Sequence, residues 1–353
     1  RATQISLFTD RPLTLTLAPA GRGRGDYRGE AGGRAMEFGI HIRAQGWLTE
    51  RANLIAVAQR ADALGYRYLG LVDHVVLPRD VATRYPYTED GIWPGTPTGE
   101  CFDVLGMMCF LAGCTEKIKL LSSVLVVPHR PAVIAAKMLA TADRLSGGRV
   151  IAGIGAGWMR EEFDALGAPA FEERGAVTDE FLAACQSLWT EDAPAFHGRY
   201  VTFDNVIFRP KPLQPKLPIW VGGESAPSLR RTVRFGDAWY PVSNNQQVPL
   251  DTPDRLAAGI GRLARAAEKE GRDPASIDIA YLWFKPVQWN AQPAADGRRL
   301  LFTGSAADMQ QDVAALARAG ARRIIVLLQA PSLGETLERL ERFAEDVMRR
   351  VAA

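Results

Sequence analysis

Residues 118–157 read IKLLSSVLVVPHRPAVIAAKMLATADRLSGGRVIAGIGAG, and this stretch decides the fold. Its opening, Ile118 to Val127, is apolar and β-branched without polar alternation, the mark of a strand buried on both faces. Pro131 to Leu145 then places apolar residues at helical spacing. Proline sits in its first turn, where a missing N–H costs nothing, and Gly147-Gly148 lies just beyond its end. Val150 to Ile154 is a second apolar run. Strand, helix and strand in this order form a parallel βαβ unit.

The same alternation extends in both directions. Upstream, Met36 to Ile42 and Tyr68 to Val72 read as strands. Between them Leu54, Val57, Ala58, Ala61 and Leu64 share one helix face that stops at Gly65. Asp103 to Ala112 is helical. Downstream, a helix over Glu173 to Trp189 precedes strands at Ile219 to Val221, Ala238 to Tyr240, Ile277 to Phe284 and Ile324 to Leu328. Helices at Ser225 to Phe235, Leu256 to Glu270, Ala306 to Ala319 and Leu333 to Val351 alternate with them. Eight strands, each followed by a helix, predict an α/β protein of the (β/α)₈ TIM-barrel class, with an open doubly wound sheet as the rival. The excess length falls at 75–100, 197–217 and 285–302. The first and third of these segments directly follow strands, which puts insertions at the C-terminal mouth, where barrel chemistry sits.

Composition narrows the function. The 353 residues are 47% hydrophobic and 23% charged, and 42 Lys+Arg face 40 Asp+Glu. A net charge of +2 offers no basic field for nucleic acid. No apolar run approaches a membrane span of about 18 residues. Cys101, Cys109, Cys114 and Cys185 form no C-x-x-C pair and the four histidines are scattered, so no metal site is expected. Reduced thiols fit the cytoplasm. Residues 1–35, with Gly21-Arg22-Gly23-Arg24-Gly25 and little periodicity, read as an unstructured leader or a misplaced start, a transit peptide being the other option. The folded domain is expected over 36–353.

The strand ends give the candidate site. Asp73-His74 follows the second strand, and a histidine there exchanges protons near neutral pH while a carboxylate can hold its tautomer. Neighbours on a strand point oppositely, however, so Asp73 is equally open to another partner. His129, between Pro128 and Arg130, reads as structural. Gly153 to Gly157 follows the fourth strand and Gly222-Gly223-Glu224-Ser225 opens a helix. Such glycines allow a flat ring or a phosphate close to the backbone, and free N–H groups with Ser225 can hold an anion. A plain glycine turn with a serine cap is the alternative there. A phosphate-bearing planar cofactor fits this face.

The ordered segments resemble the luciferase-like monooxygenase superfamily, which holds FMN-dependent monooxygenases and deazaflavin (coenzyme F-420) dependent oxidoreductases. The resemblance runs from Met36 nearly to the C-terminus. It is carried by Val72-Asp73-His74, Ser122 to Pro128, Ala142 to Arg149, Gly153 to Glu162, Phe208 to Pro212 leading to Ile219 to Gly223, and Phe235 to Trp239. Ser-Gly-Gly-Arg-Val and Gly-Ala-Gly-Trp-x-x-Glu-Glu-Phe look most like the deazaflavin branch. The resemblance implies a single luciferase-like barrel with the cofactor ring across the strand ends. It implies a non-proline cis peptide at Ser123-Val124, whose bulge backs the ring. Asp73 and His74 would border ring and substrate, both catalytic, with His74 exchanging the proton. Gly155, Gly157 and Trp158 would line the cofactor, and Gly222, Gly223 and Ser225 would cradle phosphate.

Two departures from the sugar-phosphate-oxidising members stand out. Trp158 replaces an acidic residue, and Asn244-Asn245-Gln246 replaces a segment with a phosphate-binding lysine. An uncharged or aromatic substrate is expected for a mouth lined by Trp93, Trp158, Trp239 and Tyr240. The leading functional expectation is hydride transfer between reduced coenzyme F-420 and a small organic molecule. The alternatives are an FMNH₂-dependent monooxygenase fed by a separate reductase, and a non-catalytic flavin-binding protein. The resemblance also implies a homodimer.

Overall fold

The computed structural model describes residues 36–95, 99–294 and 296–351, so the leader expected over 1–35 lies outside the described residues. Eight parallel strands close into a ring: β1 (Glu37–Ile42), β2 (Tyr68–Leu71), β3 (Lys119–Ser122), β4 (Val150–Gly155), β5 (Ile219–Gly222), β6 (Ala238–Tyr240), β7 (Asp278–Pro286) and β8 (Arg323–Leu327). Each pairs with the next, and β8 returns to β1 with Phe38 opposite Ile324. Closure removes every sheet edge and disposes of the open-sheet rival.

Helices α1 (Arg51–Leu64), α2 (Val104–Ala112), α3 (Ala132–Leu145), α5 (Arg174–Thr190), α6 (Ala226–Phe235), α7 (Pro253–Lys269), α8 (Ala306–Ala319) and α9 (Leu333–Phe343) follow the strands in turn. Their ends obey local chemistry. Gly65 takes the left-handed φ of 88° that a side chain would resist, ending α1. Ser305 and Asp308 form a reciprocal capping box at α8. Two short features depart from expectation. The helix α4 (Arg160–Leu166) lies ahead of α5, and 197–217 begins in a small hairpin pairing Phe196–His197 with Thr202–Phe203. Neither is long enough to carry a period.

The third stave is also not continuous. After β3 the chain breaks at Ser123 and Val124, joined by the anticipated cis peptide, and resumes as Leu125–Val126 against Ile154 and Gly155 of β4. Inside the ring, Tyr68, Leu121, Ile151, Trp220, Tyr240 and Ile325 fill the barrel. A larger apolar layer joins the strands to the helices. The four cysteines are free thiols. Among the described residues no helix is long and apolar enough to cross a membrane.

Candidate active site at the barrel mouth

A cavity of about 300 Å³ opens at the C-terminal ends of the strands. Asp73, His74, Ser123, Val124, Gly155, Gly157, Trp158, Gly222, Gly223 and Ser225 all line it. Residues up to 152 positions apart in the chain therefore meet in one hollow, because strand order sets the order of their ends around the rim.

The break in the third stave forms the cavity's shelf. Gly155 and Gly222 flank Val124, and a Cβ on either would stand 2.6 Å from Val124 Cγ2 or 3.2 Å from Val124 Cγ1. A Cβ at Gly153 would lie 2.0 Å from the Ser122 carbonyl oxygen. These glycines thus admit the break itself, a different purpose from direct approach of a ligand to their own backbone. They leave Val124 as an apolar shelf. Beneath it, the Ser123 and Tyr240 hydroxyls are 2.9 Å apart. His41 Nε2 is 3.4 Å from the Ser123 carbonyl oxygen.

His74 and Asp73 do not pair. Being adjacent, they point apart, and each finds its own partner. Asp73 accepts from both terminal nitrogens of Arg130 at 2.8 and 2.7 Å and from the Val126 amide at 2.8 Å. Arg130 also holds Asp103, at the start of α2. Asp73 therefore ties β2 to the resumed third stave. The group that orients His74 is Glu162 of α4, whose Oε2 accepts from Nδ1 at 2.8 Å. Its Oε1 accepts from the Val75 amide at 2.7 Å and the Val76 amide at 3.3 Å. Burial alone would raise the Glu162 carboxyl, but the His74 bond and these amides outweigh it and hold it below the ordinary value. Among the described residues Nε2 of His74 makes no hydrogen bond, so it is the nitrogen left to exchange a proton.

His129 lines the same cavity instead of serving only as a turn residue. Its Nδ1 stands 3.8 Å from Glu162, and neither ring nitrogen has a hydrogen-bond partner among the described residues. Burial, only partly opposed by the Glu162 and Asp73 carboxylates, pushes this imidazole down. Three of the chain's four histidines, His41, His74 and His129, line this one cavity.

The opposite side suits an anion. Ser225 caps α6, and its hydroxyl accepts from the Ser228 amide at 3.4 Å and lies 2.9 Å from the Ser228 hydroxyl. Gly223 holds a left-handed φ of 97°, and a Cβ there would press to 2.7 Å from Ser228 Oγ. Arg174, at the start of α5, lines this cavity too, and α5 is tied to α6 by Arg231 donating to the Gly175 carbonyl at 2.9 Å. Helix amides, two hydroxyls and a guanidinium are what a phosphate requires. Glu224 turns from this cradle to bind the Val242 amide at 2.8 Å and the Asn245 side chain at 2.6 Å. Burial pushes its carboxyl up to about 7.

Aromatic rings close the mouth. Tyr85, Tyr87 and Trp93, from the long segment after β2, pack against Trp158 and Phe284. Glu161 pins that segment by accepting from the Ala82 and Thr83 amides, each at 2.8 Å. Trp239, expected at the mouth, instead faces outward from the barrel. It is fully buried near Gly259, with its indole N–H donating to the Gly223 carbonyl at 2.9 Å. Glu162, Arg130, Arg174, Glu224 and His41 were given no role from the sequence. Glu162 and Glu224 stood inside quoted motifs and Arg130 beside His129, whereas Arg174 and His41 carried no signal.

Fold and site together define a parallel barrel with a cavity at the C-terminal ends of its strands, lined by glycines, aromatic rings, three histidines and the start of a helix. The chain belongs to the luciferase-like monooxygenase family, whose model matches residues 36–350. An uncharacterised protein of Mycobacterium tuberculosis is 31% identical over 239 residues, covering 67% of this chain and 78% of that protein. The FMNH₂-dependent dimethylsulfone monooxygenase of Pseudomonas putida is 39% identical over 179 residues, 46% of this chain and 49% of the enzyme. Among solved structures, an F420-dependent secondary alcohol dehydrogenase shares the fold at a TM-score of 0.69 and 16% identity, covering 91% of this chain and all of that one. The FMN-bound oxygenating constituent of 3,6-diketocamphane monooxygenase from Pseudomonas putida does so at 0.66 and 15%, covering 90% of this chain and 99% of that one.

Proposed function

We propose that the protein is a deazaflavin-dependent oxidoreductase that moves a hydride between coenzyme F-420 and a small organic substrate. The observation that carries this reading is the His74–Glu162 pair, at 2.8 Å, facing the same cavity as the Val124 shelf. When bound, the deazaflavin would supply or take the hydride. A hydride moving to or from a carbonyl carbon needs a proton at the oxygen, and an imidazole is the side chain suited to exchange it near neutral pH.

The residues present fit such a group. Val124 offers an apolar shelf between glycines that cannot be enlarged, and Ser225, Ser228 and Arg174 offer an anion cradle. Glu162 fixes the His74 tautomer with its proton on Nδ1, so Nε2 is ready to accept a proton. When Nε2 is protonated, the imidazolium lies against the Glu162 carboxylate, which stabilises it. Tyr85, Tyr87 and Trp93 screen this exchange from water, and Glu161 and Glu162 hold the root of their segment in place.

FMNH₂-dependent oxygenation is the second reading, favoured by the 39% identity to the dimethylsulfone monooxygenase. It would need a separate reductase. Fluorescence titration of the purified chain with oxidised and reduced deazaflavin and FMN separates the two. Tight binding of deazaflavin with weak binding of FMN supports hydride transfer, whereas tight binding of FMN alone overturns it.

A further inference from the structure

The aromatic end of the cavity carries compensated charges and, on His41, a buried polar atom without a partner among the described residues. Asp73 is neutralised by Arg130, and Glu162 is bonded to His74 and two amides. Glu224, its carboxyl pushed up to about 7 by burial, is bonded to the Val242 amide and the Asn245 side chain. Arg174 is the sole Lys or Arg among the described lining residues, and it stands at the start of α5 with its guanidinium on the Phe171 ring. A carboxylate at the aromatic end could not donate to a bare acceptor, and it would stand among carboxylates with Arg43 as the nearby cation, its guanidinium 5.7 Å from the centre of the Phe284 ring. A cation would face that same guanidinium. Recognition is left to ring faces: Tyr85 lies 4.8 Å and Trp93 6.1 Å from Trp158, and Trp93 lies 5.6 Å from His74.

His41 supplies the polar anchor. It is 2% exposed, lines the cavity and packs edge-on against Phe284 at 5.4 Å. Burial, reinforced by Arg43, lowers its pKa to about 3, so the ring is neutral. Its Nε2 contacts the Ser123 carbonyl, which only accepts, so Nε2 carries the hydrogen and Nδ1 is a bare acceptor. That Nδ1 is buried and has no partner among the described residues. A buried unpaired acceptor is costly, and a ligand donor would satisfy it.

We propose that this end of the cavity takes a flat, uncharged phenol, its ring between the aromatic faces and its O–H donating to Nδ1 of His41 as an anchor separate from the carbon that exchanges the hydride. The proposal names the substrate class for the redox site read above and rests on that reading. Its test involves no turnover, so the two can fail separately.

Tryptophan fluorescence of the full chain, alone and with oxidised deazaflavin or FMN, is titrated with 2-naphthol, 2-methoxynaphthalene, decahydro-2-naphthol and 2-naphthoate. Naphthol is expected to bind about tenfold tighter than its methyl ether, which lacks the donor. It is also expected to bind about tenfold tighter than the saturated alcohol, which lacks the ring faces, and tighter still than the anion. In His41→Phe the preference for naphthol over the ether should vanish, while affinity for the ether persists. In the wild type, the Nδ1 nitrogen resonance of His41 should move on adding naphthol and stay put on adding the ether. That measurement stands even where His41→Phe does not fold. Equal binding of naphthol and ether, tighter binding of naphthoate, or a silent His41 resonance overturns the proposal.

Discussion

The two ends of the barrel treat polar groups in opposite ways. At the N-terminal end, Arg323 reaches Glu37 at 3.0 Å and Asp278 at 2.7 Å and donates to the Tyr68 hydroxyl at 2.8 Å. Its guanidinium lies 5.6 Å from the centre of the Trp220 ring. Charges from β1, β7 and β8 are cross-linked there, and that end works as a clamp on the closed ring. At the C-terminal end, His41 and His129 keep buried ring nitrogens without partners among the described residues. The N-terminal end meets its charges with opposite charges, whereas the C-terminal end leaves imidazole nitrogens for something else to satisfy.

The largest expected effect separates chemistry from stability. His74→Ala should lower kcat by a factor of about 10²–10⁴, the usual worth of a positioned acid–base group. Cofactor affinity should stay near wild type, while melting temperature falls modestly because the buried Glu162 carboxylate keeps its two amides but loses the imidazole. Steady-state kinetics with thermal unfolding checks this, and unchanged turnover removes the role given to His74.

Arg323→Met should do the reverse. Withdrawing one member of a half-buried ion cluster leaves Asp278 without its partner and Glu37 with only Arg67 at 3.6 Å, at about 2 kcal/mol of stability. Chemical denaturation reads the loss, and kcat per folded molecule should hold. A fall in kcat without a fall in stability would mean that the two ends are not separate in function.

Much of this division was legible in the sequence, for physical reasons. Strands buried on both faces and helices with a 3.6 period write their positions locally, so β1 to β8 could be placed within a few residues. The glycine-rich strand ends and Asp73-His74 were legible as chemistry because barrel topology turns strand ends into a rim. Partnership was not. His74 and Glu162 are 88 residues apart and meet only because the ring closes, while Asp73, adjacent to His74, faces away from it. The glycines were visible, but their purpose was not: Gly155 and Gly222 make room for Val124, a contact between three different staves. The ring of Trp239 was placed at the mouth because strand parity at a three-residue strand gives too little pattern to tell in from out.

Glu162 links the rim's chemistry to its order, and pH exposes that link. Its carboxyl pKa is depressed in the folded state, so its contribution to stability is present above the ordinary carboxylate range and is lost as pH falls through the depressed value. Glu162→Gln should flatten this part of the acid limb, measured by melting temperature across the mildly acidic range. It should also lower kcat about tenfold, because an amide still accepts from the Val75 amide but cannot stabilise an imidazolium as a carboxylate does. An acid limb identical to wild type would show that the His74–Glu162 bond adds nothing to the fold.

His129 gives the smallest effect and the sharpest view of the contrast. Its side chain is 2% exposed and its ring nitrogens are unpartnered among the described residues, so the imidazole contributes shape and an edge-on contact with Phe163 at 4.8 Å, with little polar stabilisation. Replacing a buried unpaired polar group by an apolar one of similar volume is near neutral or stabilising. His129→Met should therefore change the unfolding free energy by less than about 1 kcal/mol, with gain the favoured sign. A loss well beyond that, by denaturant titration, would mean that His129 is held by a polar contact after all and that the rim is as fully satisfied there as the clamp at the opposite end.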